Sequence, residues 1–90
     1  WSSDVCSSDL YKGLMHLKVR FGQSNFNDEK TNIIQQLEQS GFSVEYLELV
    51  DNDSLEILSE WSLNKNTTAC IAAYLGKVRL IDNMILHTVQ

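Results

Sequence analysis

The chain contains no proline, few basic residues and no apolar run long enough to cross a bilayer. Residues 11–90 also contain no repeat or low-complexity stretch, which argues against a proline-rich linker. A nucleic-acid surface needs clustered lysine and arginine, and no such cluster is present. A transmembrane helix needs about 20 consecutive apolar residues, so we expect no membrane contact from this segment.

Cysteine is also scarce, since only Cys6 and Cys70 occur. Cys6 falls in the first ten residues, which are set apart in the next paragraph, so a single cysteine remains. One cysteine cannot form an internal disulfide, and no metal-ligand spacing is present. This usage fits a reducing compartment, and we expect a cytoplasmic protein with no metal site in this chain.

The first ten residues match one reading frame of a common short-read sequencing adapter. The codons TGG AGT TCA GAC GTG TGC TCT TCC GAT encode residues 1–9, and the following CT begins a leucine codon. We therefore expect residues 1–10 to be an adapter artefact, disordered or extending the first helix, and residues 11–90 to be the end of a longer protein. The alternative is a genuine serine-rich linker.

Without those ten residues the chain is small and mildly acidic. They hold two of the twelve acidic residues and none of the seven basic ones, so residues 11–90 have a formal net charge of −3. A domain of about 80 residues buries only about 60–65% of the surface that its unfolded form exposes. We therefore expect marginal stability in isolation.

Two helices are predicted in the first half. In residues 11–21, Leu14 and Leu17 fall on one face together with Leu10, and Gly22 is a plausible stop. A second helix is predicted over residues 28–39. Its expected N-cap is Asn27, and acidic residues follow in its first turn. The predicted buried stripe of the second helix is Ile33, Ile34 and Leu37, with Gly41 after its end.

Strand patterns dominate the second half. Residues 44–50 are rich in β-branched and aromatic residues, with Leu47 and Leu49 predicted to face one side. Residues 51–53 have turn chemistry, and residues 54–61 are predicted to form a short helix or turn. Residues 67–75 and 78–86 are predicted to form a hairpin around a type II′ turn at Gly76-Lys77, with the first strand covered on both faces.

The predicted fold class is α+β. The economical arrangement has two layers, a small antiparallel sheet of about three strands packed against two helices.

Three segments carry a resemblance to the pantothenate synthetase family, also called pantoate–β-alanine ligases. Residues 72–83 read Ala-Ala-Tyr-Leu-Gly-Lys-Val-Arg-Leu-Ile-Asp-Asn, which is similar to the signature near the C-terminus of that family. The turn Asp-Asn-Asp-Ser-Leu at 51–55 and the Leu-Tyr-Lys at 10–12 resemble weaker family features. The resemblance covers essentially all of residues 11–90, in the family's order.

The resemblance implies a function for the longer protein. Family members use ATP with Mg²⁺ to adenylate pantoate, and β-alanine then attacks the adenylate to give pantothenate and AMP. That work belongs to a Rossmann-like N-terminal domain with His-x-Gly-His and Lys-x-Ser-Ser-Arg-Asn-like motifs, and neither motif occurs in residues 11–90. The resemblance therefore implies a lid-like C-terminal domain that is inactive alone, binds no cofactor and belongs to a homodimer when full length.

We assign no catalytic, cofactor-binding or metal-binding residue to this chain. His16 is predicted on the polar side of a helix and His87 near the end of a terminal strand, with no catalytic partner at a suitable spacing. Cys70 is expected to be a buried, inert thiol. The expected roles of the other candidates are turn or capping for Asp51 and Asp53, a solvated face for Glu45 and Glu48, and core anchors for Trp61 and Tyr74.

Asp82 and Asn83 are polar residues in a predicted strand. The favoured interpretation is that their side chains satisfy backbone groups where the sheet meets a loop. The alternative is that they help to seat the lid on the N-terminal domain. For the whole chain, the alternative to a ligase fragment is a free-standing α+β interaction module without chemistry.

Overall fold

The computed structural model describes the backbone of residues 2–89 and the side chains of residues 9–89. The elements are helices α1 (Ser2–Arg20) and α2 (Phe26–Gln39), followed by strands β1 (Phe42–Asp51), β2 (Ile57–Leu58), β3 (Thr67–Leu75) and β4 (Val78–His87). The predicted α+β class and two-layer arrangement are confirmed. The sheet has four strands instead of about three, in the order β2-β1-β3-β4, and every neighbouring pair is antiparallel.

Helix α1 begins well before the predicted residue 11, so residues 2–10 continue the first helix. Leu10, Leu14 and Leu17 are almost fully buried, as their spacing on one helical face predicts. The helix ends at Arg20, and Gly22 adopts a left-handed φ of 76° in the turn that follows. The adapter origin of these ten residues remains a prediction.

Helix α2 begins two residues before its predicted start. Asn25, not Asn27, is the N-cap, and its side chain accepts a 2.8 Å hydrogen bond from the backbone N–H of Asn27. Because the helix starts earlier, Phe26 enters its first turn and is buried in the core. Gly41 follows the helix with φ of 100°, the left-handed conformation expected there.

The segment 54–61 was predicted to form a short helix or turn, and it forms no helix. The carboxylate of Asp51 accepts hydrogen bonds from the backbone N–H of Asp53 and Ser54, and this turn reverses the chain. Leu55 takes a left-handed φ of 63°, which is incompatible with a continuing helix. The chain then runs back as β2 beside the end of β1. The leucines at helical spacing are separated, since Leu55 is exposed and Leu58 packs against the core.

A bulge explains the imperfect alternation of β1. The register against β3 shifts between Val44 and Tyr46, so that Glu45 is the extra residue. Val44 and Leu47 therefore both face the helices, whereas Tyr46 faces away from them. Leu47 and Leu49 are fully buried on the same side, as predicted.

Both helices lie on one face of the sheet. Helix α1 packs across β4 and β3, and α2 packs against β1. The core between the layers is made by apolar side chains from both helices and from the three long strands. Within the described residues, no element covers the opposite face, which we call the open face. The pairing of the strands shows which residues lie on the open face. They are Ser43, Tyr46, Glu48, Val50, Ile57, Thr68, Cys70, Ala72, Tyr74, Arg79, Ile81, Asn83 and Ile85.

Neither helix in the described part of the chain combines the length and hydropathy that a bilayer-spanning helix requires.

Candidate functional site

The open face carries the largest exposed apolar side chains of the sheet. Ile57, Ile81 and Ile85 are 69%, 64% and 55% exposed, and Tyr46 and Tyr74 lie between them at 37% each. β3 was predicted to be covered on both faces, but no described element covers its open side; on that side Tyr74 is exposed, whereas Ala72 is buried between its neighbours. Exposed apolar side chains grouped on one face of a small domain are typical of interaction surfaces.

A depression of about 440 Å³ marks the part of the open face nearest to β2. It is lined by Tyr46, Glu48, Val50, Ile57 and Cys70. Cys70 is a free thiol that is half-buried instead of fully buried, and burial raises its pKa. A raised pKa disfavours the thiolate, the reactive form of cysteine, and the inert role of this thiol stays a prediction.

Ion pairs neutralise the charges around the open face. The Arg79 guanidinium donates a 2.9 Å hydrogen bond from Nε to Glu45, and this carboxylate raises the pKa of Arg79. Lys30 reaches from α2 to Glu48 at 3.1 Å. Glu45 is solvated, as predicted, and Glu48 is half-buried. The open face is therefore electrically balanced, although the chain as a whole is acidic.

The hairpin of the signature segment is confirmed, with a two-residue loop between Leu75 and Val78. Gly76 has φ of 64° and Lys77 has a negative φ, as a type II′ turn requires. Leu80 faces the helices and Ile81 the open face, as predicted. The sequence therefore specified both the turn and the orientation of the returning strand.

Asp82 and Asn83 have different roles. The Asp82 carboxylate accepts a 2.8 Å hydrogen bond from the backbone N–H of Asn83, so Asp82 satisfies a backbone group as predicted, although in the middle of β4. The side chain of Asn83 forms no hydrogen bond with any described residue, and it projects from the open face. The predicted structural role therefore does not apply to the Asn83 side chain.

A buried carboxylate cluster joins the two helices. Glu29 is only 7% exposed, and its oxygens lie 2.7 Å from His16 Nε2, 3.1 Å from Arg20 Nε and 2.6 Å from Ser24 Oγ. The hydrogen bonds from Ser24 and His16 are the main reasons that the pKa of Glu29 falls to about 2. Glu29 is thus an ionised anchor that fastens α1 and the interhelical loop to α2.

Sequence reasoning missed this cluster, because its members come from three segments. A signal was available nevertheless. Phe26, Glu29, Ile33 and Leu37 recur at helical spacing and are all buried, so Glu29 occupies a position of the apolar stripe. A carboxylate at such a position requires polar partners, because burying an unpaired charge is costly.

The remaining aromatic candidates pack where the interhelical loop meets the end of the sheet. Trp61 packs against Phe21 and Phe26, with ring centroids 5.0 and 5.3 Å apart, and its indole N–H donates to the Ser24 carbonyl. Trp61 is therefore a core anchor, as predicted, whereas Tyr74 lies on the open face. His87 ends β4 as predicted, and its ring stacks on Phe21.

The acidic turn has the structural role predicted for it. Asp51 is buried, and the backbone N–H of Asp53 is the main cause that lowers its pKa. Lys65 lies 3.7 Å from the same carboxylate. Among the described residues, no three His, Cys, Asp or Glu side chains are placed to hold a metal ion.

A second concave region lies between α1 and α2 and has a volume of about 260 Å³. Gly13 and Ile33 form its floor, because the helices approach closely at these two residues. Lys12 and His16 stand at its exposed rim. In the described residues, every buried side-chain donor or acceptor has a hydrogen-bond partner.

Comparison with known proteins assigns the chain to a family. The family model described as pantoate-beta-alanine ligase matches residues 4–85. A pantothenate synthetase of Cytophaga hutchinsonii is 33% identical over 85 residues, covering 89% of this chain and 29% of that protein. A pantoate–β-alanine ligase of Arabidopsis thaliana is 41% identical over 69 residues, covering 77% and 22% respectively.

The fold agrees with that assignment. The crystal structure of pantothenate synthetase from Thermus thermophilus superimposes with a TM-score of 0.69 at 24% identity, covering 89% of this chain and 29% of the other. The chain thus spans less than a third of the length of these relatives. Over residues 4–85, this chain belongs to the pantoate–β-alanine ligase family.

Proposed function

We propose that this chain is the C-terminal, lid-like part of a cytoplasmic, homodimeric ligase that makes pantothenate. The observation that carries the proposal is the family match over residues 4–85 of a chain less than a third as long as its relatives. The overall reaction would join pantoate and β-alanine, with ATP converted to AMP and pyrophosphate through a pantoyl adenylate.

The described residues are proposed to hold neither ATP nor Mg²⁺, and two observations support this. They contain no carboxylate cluster suited to a metal ion, and Arg79 and Lys30 are both paired with glutamates. The described part of the chain would therefore supply no group to the chemical step, and the 90-residue chain alone is expected to be inactive.

The open face gives the lid a physical role. A lid protects an acyl adenylate from hydrolysis by excluding water from the site that it covers. A surface with exposed Ile57, Ile81 and Ile85 and balanced charges is suited to this task, because docking it on a partner domain removes apolar area from water. The proposed partner is the Rossmann-like nucleotide-binding domain of the same enzyme.

Sequencing the DNA upstream of the Tyr11 codon with adapter-trimmed long reads tests the proposal. We expect the reading frame to continue through Lys-x-Ser-Ser-Arg-Asn-like and His-x-Gly-His motifs. A start codon just upstream of Tyr11 would instead establish a free-standing α+β module, and the ligase assignment would be dropped.

Asn83 tests the docking role of the open face. Its exposed side chain makes no hydrogen bond with the described residues, so Asn83→Ala should change the free energy of unfolding by less than about 0.5 kcal/mol. In the full-length enzyme the same change is expected to raise the KM of the ligase reaction several-fold. Thr88→Ala, also exposed but outside the open face, is the control and should leave KM unchanged. An unchanged KM for Asn83→Ala would argue against this contact.

A further inference from the structure

Within the part of the chain that the structure describes, no strand pairs with the outer edge of β4, and the backbone groups of this edge can be assigned from the register. Leu75 and Val78 flank the two-residue turn and form a hydrogen-bonded pair, and the pairing continues without a shift to Ala69 and Met84. Because bonded and non-bonded pairs alternate in an antiparallel ladder, residues 79, 81 and 83 turn their N–H groups away from β3. These groups point to the outer edge of the sheet.

One of these edge donors is already occupied. The N–H of Asn83 donates to Asp82 Oδ1 at 2.8 Å. Asp82 lies opposite Ile71 on the helix-facing side, so its carboxylate reaches back to the edge to accept this bond. The arrangement places a negative charge and a bound donor in the middle of a ten-residue edge strand.

We propose that Asp82 prevents the edge of β4 from pairing with β4 of a second copy of this chain. Exposed strand edges template such pairing, and a charge on the edge strand opposes it. Strand β4 is otherwise self-complementary. In an antiparallel pair centred on Asn83, Ile81 faces Ile85 of the other copy, and Asp82 faces Met84, so no like charges oppose each other. This inference is independent of the proposed ligase function.

Amide hydrogen exchange on the unaltered 90-residue chain tests whether the hydrogen bond from the Asn83 N–H to Asp82 forms in solution. We expect the Asn83 amide to exchange at least about 10-fold more slowly than the amides of Arg79 and Ile81, although all three point outward. Equal exchange at the three positions would show that the Asp82 bond does not form in solution, and the proposal would be wrong.

Sedimentation of variants tests whether Asp82 prevents self-association of the chain. All chains carry Ile57→Lys, which makes the open face more polar at a point away from β4. In this background, chains with Asp82→Ala are expected to self-associate at concentrations at which chains that retain Asp82 are monomeric. Adding Ile81→Pro should restore the monomer, because proline removes an edge N–H without breaking a bond to β3.

The conservative variant separates the hydrogen bond from packing. Asp82→Asn keeps an acceptor for the Asn83 N–H, so it should associate less than Asp82→Ala. Association of both variants to the same extent, a monomeric Asp82→Ala, or association that Ile81→Pro does not reverse would each overturn the proposal. If Asp82→Ala fails to fold, the exchange measurement on the unaltered chain still decides.

Discussion

At the scale of single residues, Glu29 is the side chain whose surroundings depart furthest from its sequence context. It follows the N-cap of α2 in the first turn, where an acidic residue would stabilise the helix dipole from the surface. It is instead buried and bonded to Ser24, His16 and Arg20. The half-exposed histidine and arginine moderate the strength of the cluster, because solvent screens their charges.

We expect Glu29→Gln to lower the free energy of unfolding by about 1–2 kcal/mol at neutral pH, since it replaces a charged acceptor with a neutral one. The folded pKa of about 2 lies below the ordinary glutamate value of 4.5, so the contribution of the carboxylate is complete above the unfolded value and is lost as the pH falls through about 2. Urea denaturation at a series of pH values between about 2 and 4.5 measures the difference in the free energy of unfolding between Glu29→Gln and the unaltered chain.

The neighbouring Asp28 supplies the control for that experiment. Asp28 is exposed in the same first turn, and Asp28→Asn should change stability by less than about 0.5 kcal/mol at neutral pH. If Glu29→Gln were as mild as Asp28→Asn, or if its effect did not diminish with acid, the cluster would not stabilise the fold.

At the scale of elements, local sequence signals succeeded where the chain interacts mainly with itself. The hairpin and its Gly76-Lys77 turn were predictable because a two-residue loop imposes its own backbone requirement. Of the short helix or turn predicted for residues 54–61, the helix does not form, because the Asp51 turn and pairing with β1 outweigh the helical spacing of the leucines. Strand β2 is too short to be recognised without its partner strand.

The β3–β4 turn tests whether the two-residue loop requires a residue that tolerates positive φ. Gly76→Ala should lower the free energy of unfolding by about 1 kcal/mol, because an L side chain disfavours a φ of 64°. Apart from the adjacent residues, no heavy atom lies within 4 Å of the added Cβ, so the loss measures backbone conformation and not a clash. Thermal or urea denaturation gives the value.

Lys77→Ala is the matched control for the turn, since Lys77 is exposed and has an ordinary negative φ. It should leave stability within about 0.5 kcal/mol of the unaltered chain. Equal losses for Gly76→Ala and Lys77→Ala would contradict the assignment of the turn.

At the scale of the whole molecule, the distinctive property is a two-layer fold with helices on one face only. A chain of 90 residues buries a small share of its surface on folding, and here one side of the sheet remains uncovered within the described residues. If the proposed function holds, the partner domain of the ligase would cover this side.

We therefore expect the 90-residue chain to bind a hydrophobic dye through the open face. Ile57→Lys combined with Ile85→Lys should reduce the dye fluorescence several-fold. Both side chains are more than half exposed, so the folded core is little affected. Fluorescence titration measures the change, and circular dichroism verifies the fold.

Val19→Lys is the control, because Val19 is a 64% exposed apolar residue on α1 and lies outside the open face. It should leave dye binding nearly unchanged. A comparable loss in both variants would show that the dye reports general hydrophobicity and not this surface.

The sequence by itself determined the α+β class, the two helices, the hairpin with its turn and the resemblance carried by residues 72–83. These features depend on periodicity and turn chemistry, which act between residues close in the chain. The tertiary structure decided the fourth strand, the Glu29 cluster and the open face. Each of these depends on contacts between distant segments, because burial and hydrogen-bond partners at such positions are set by what packs there.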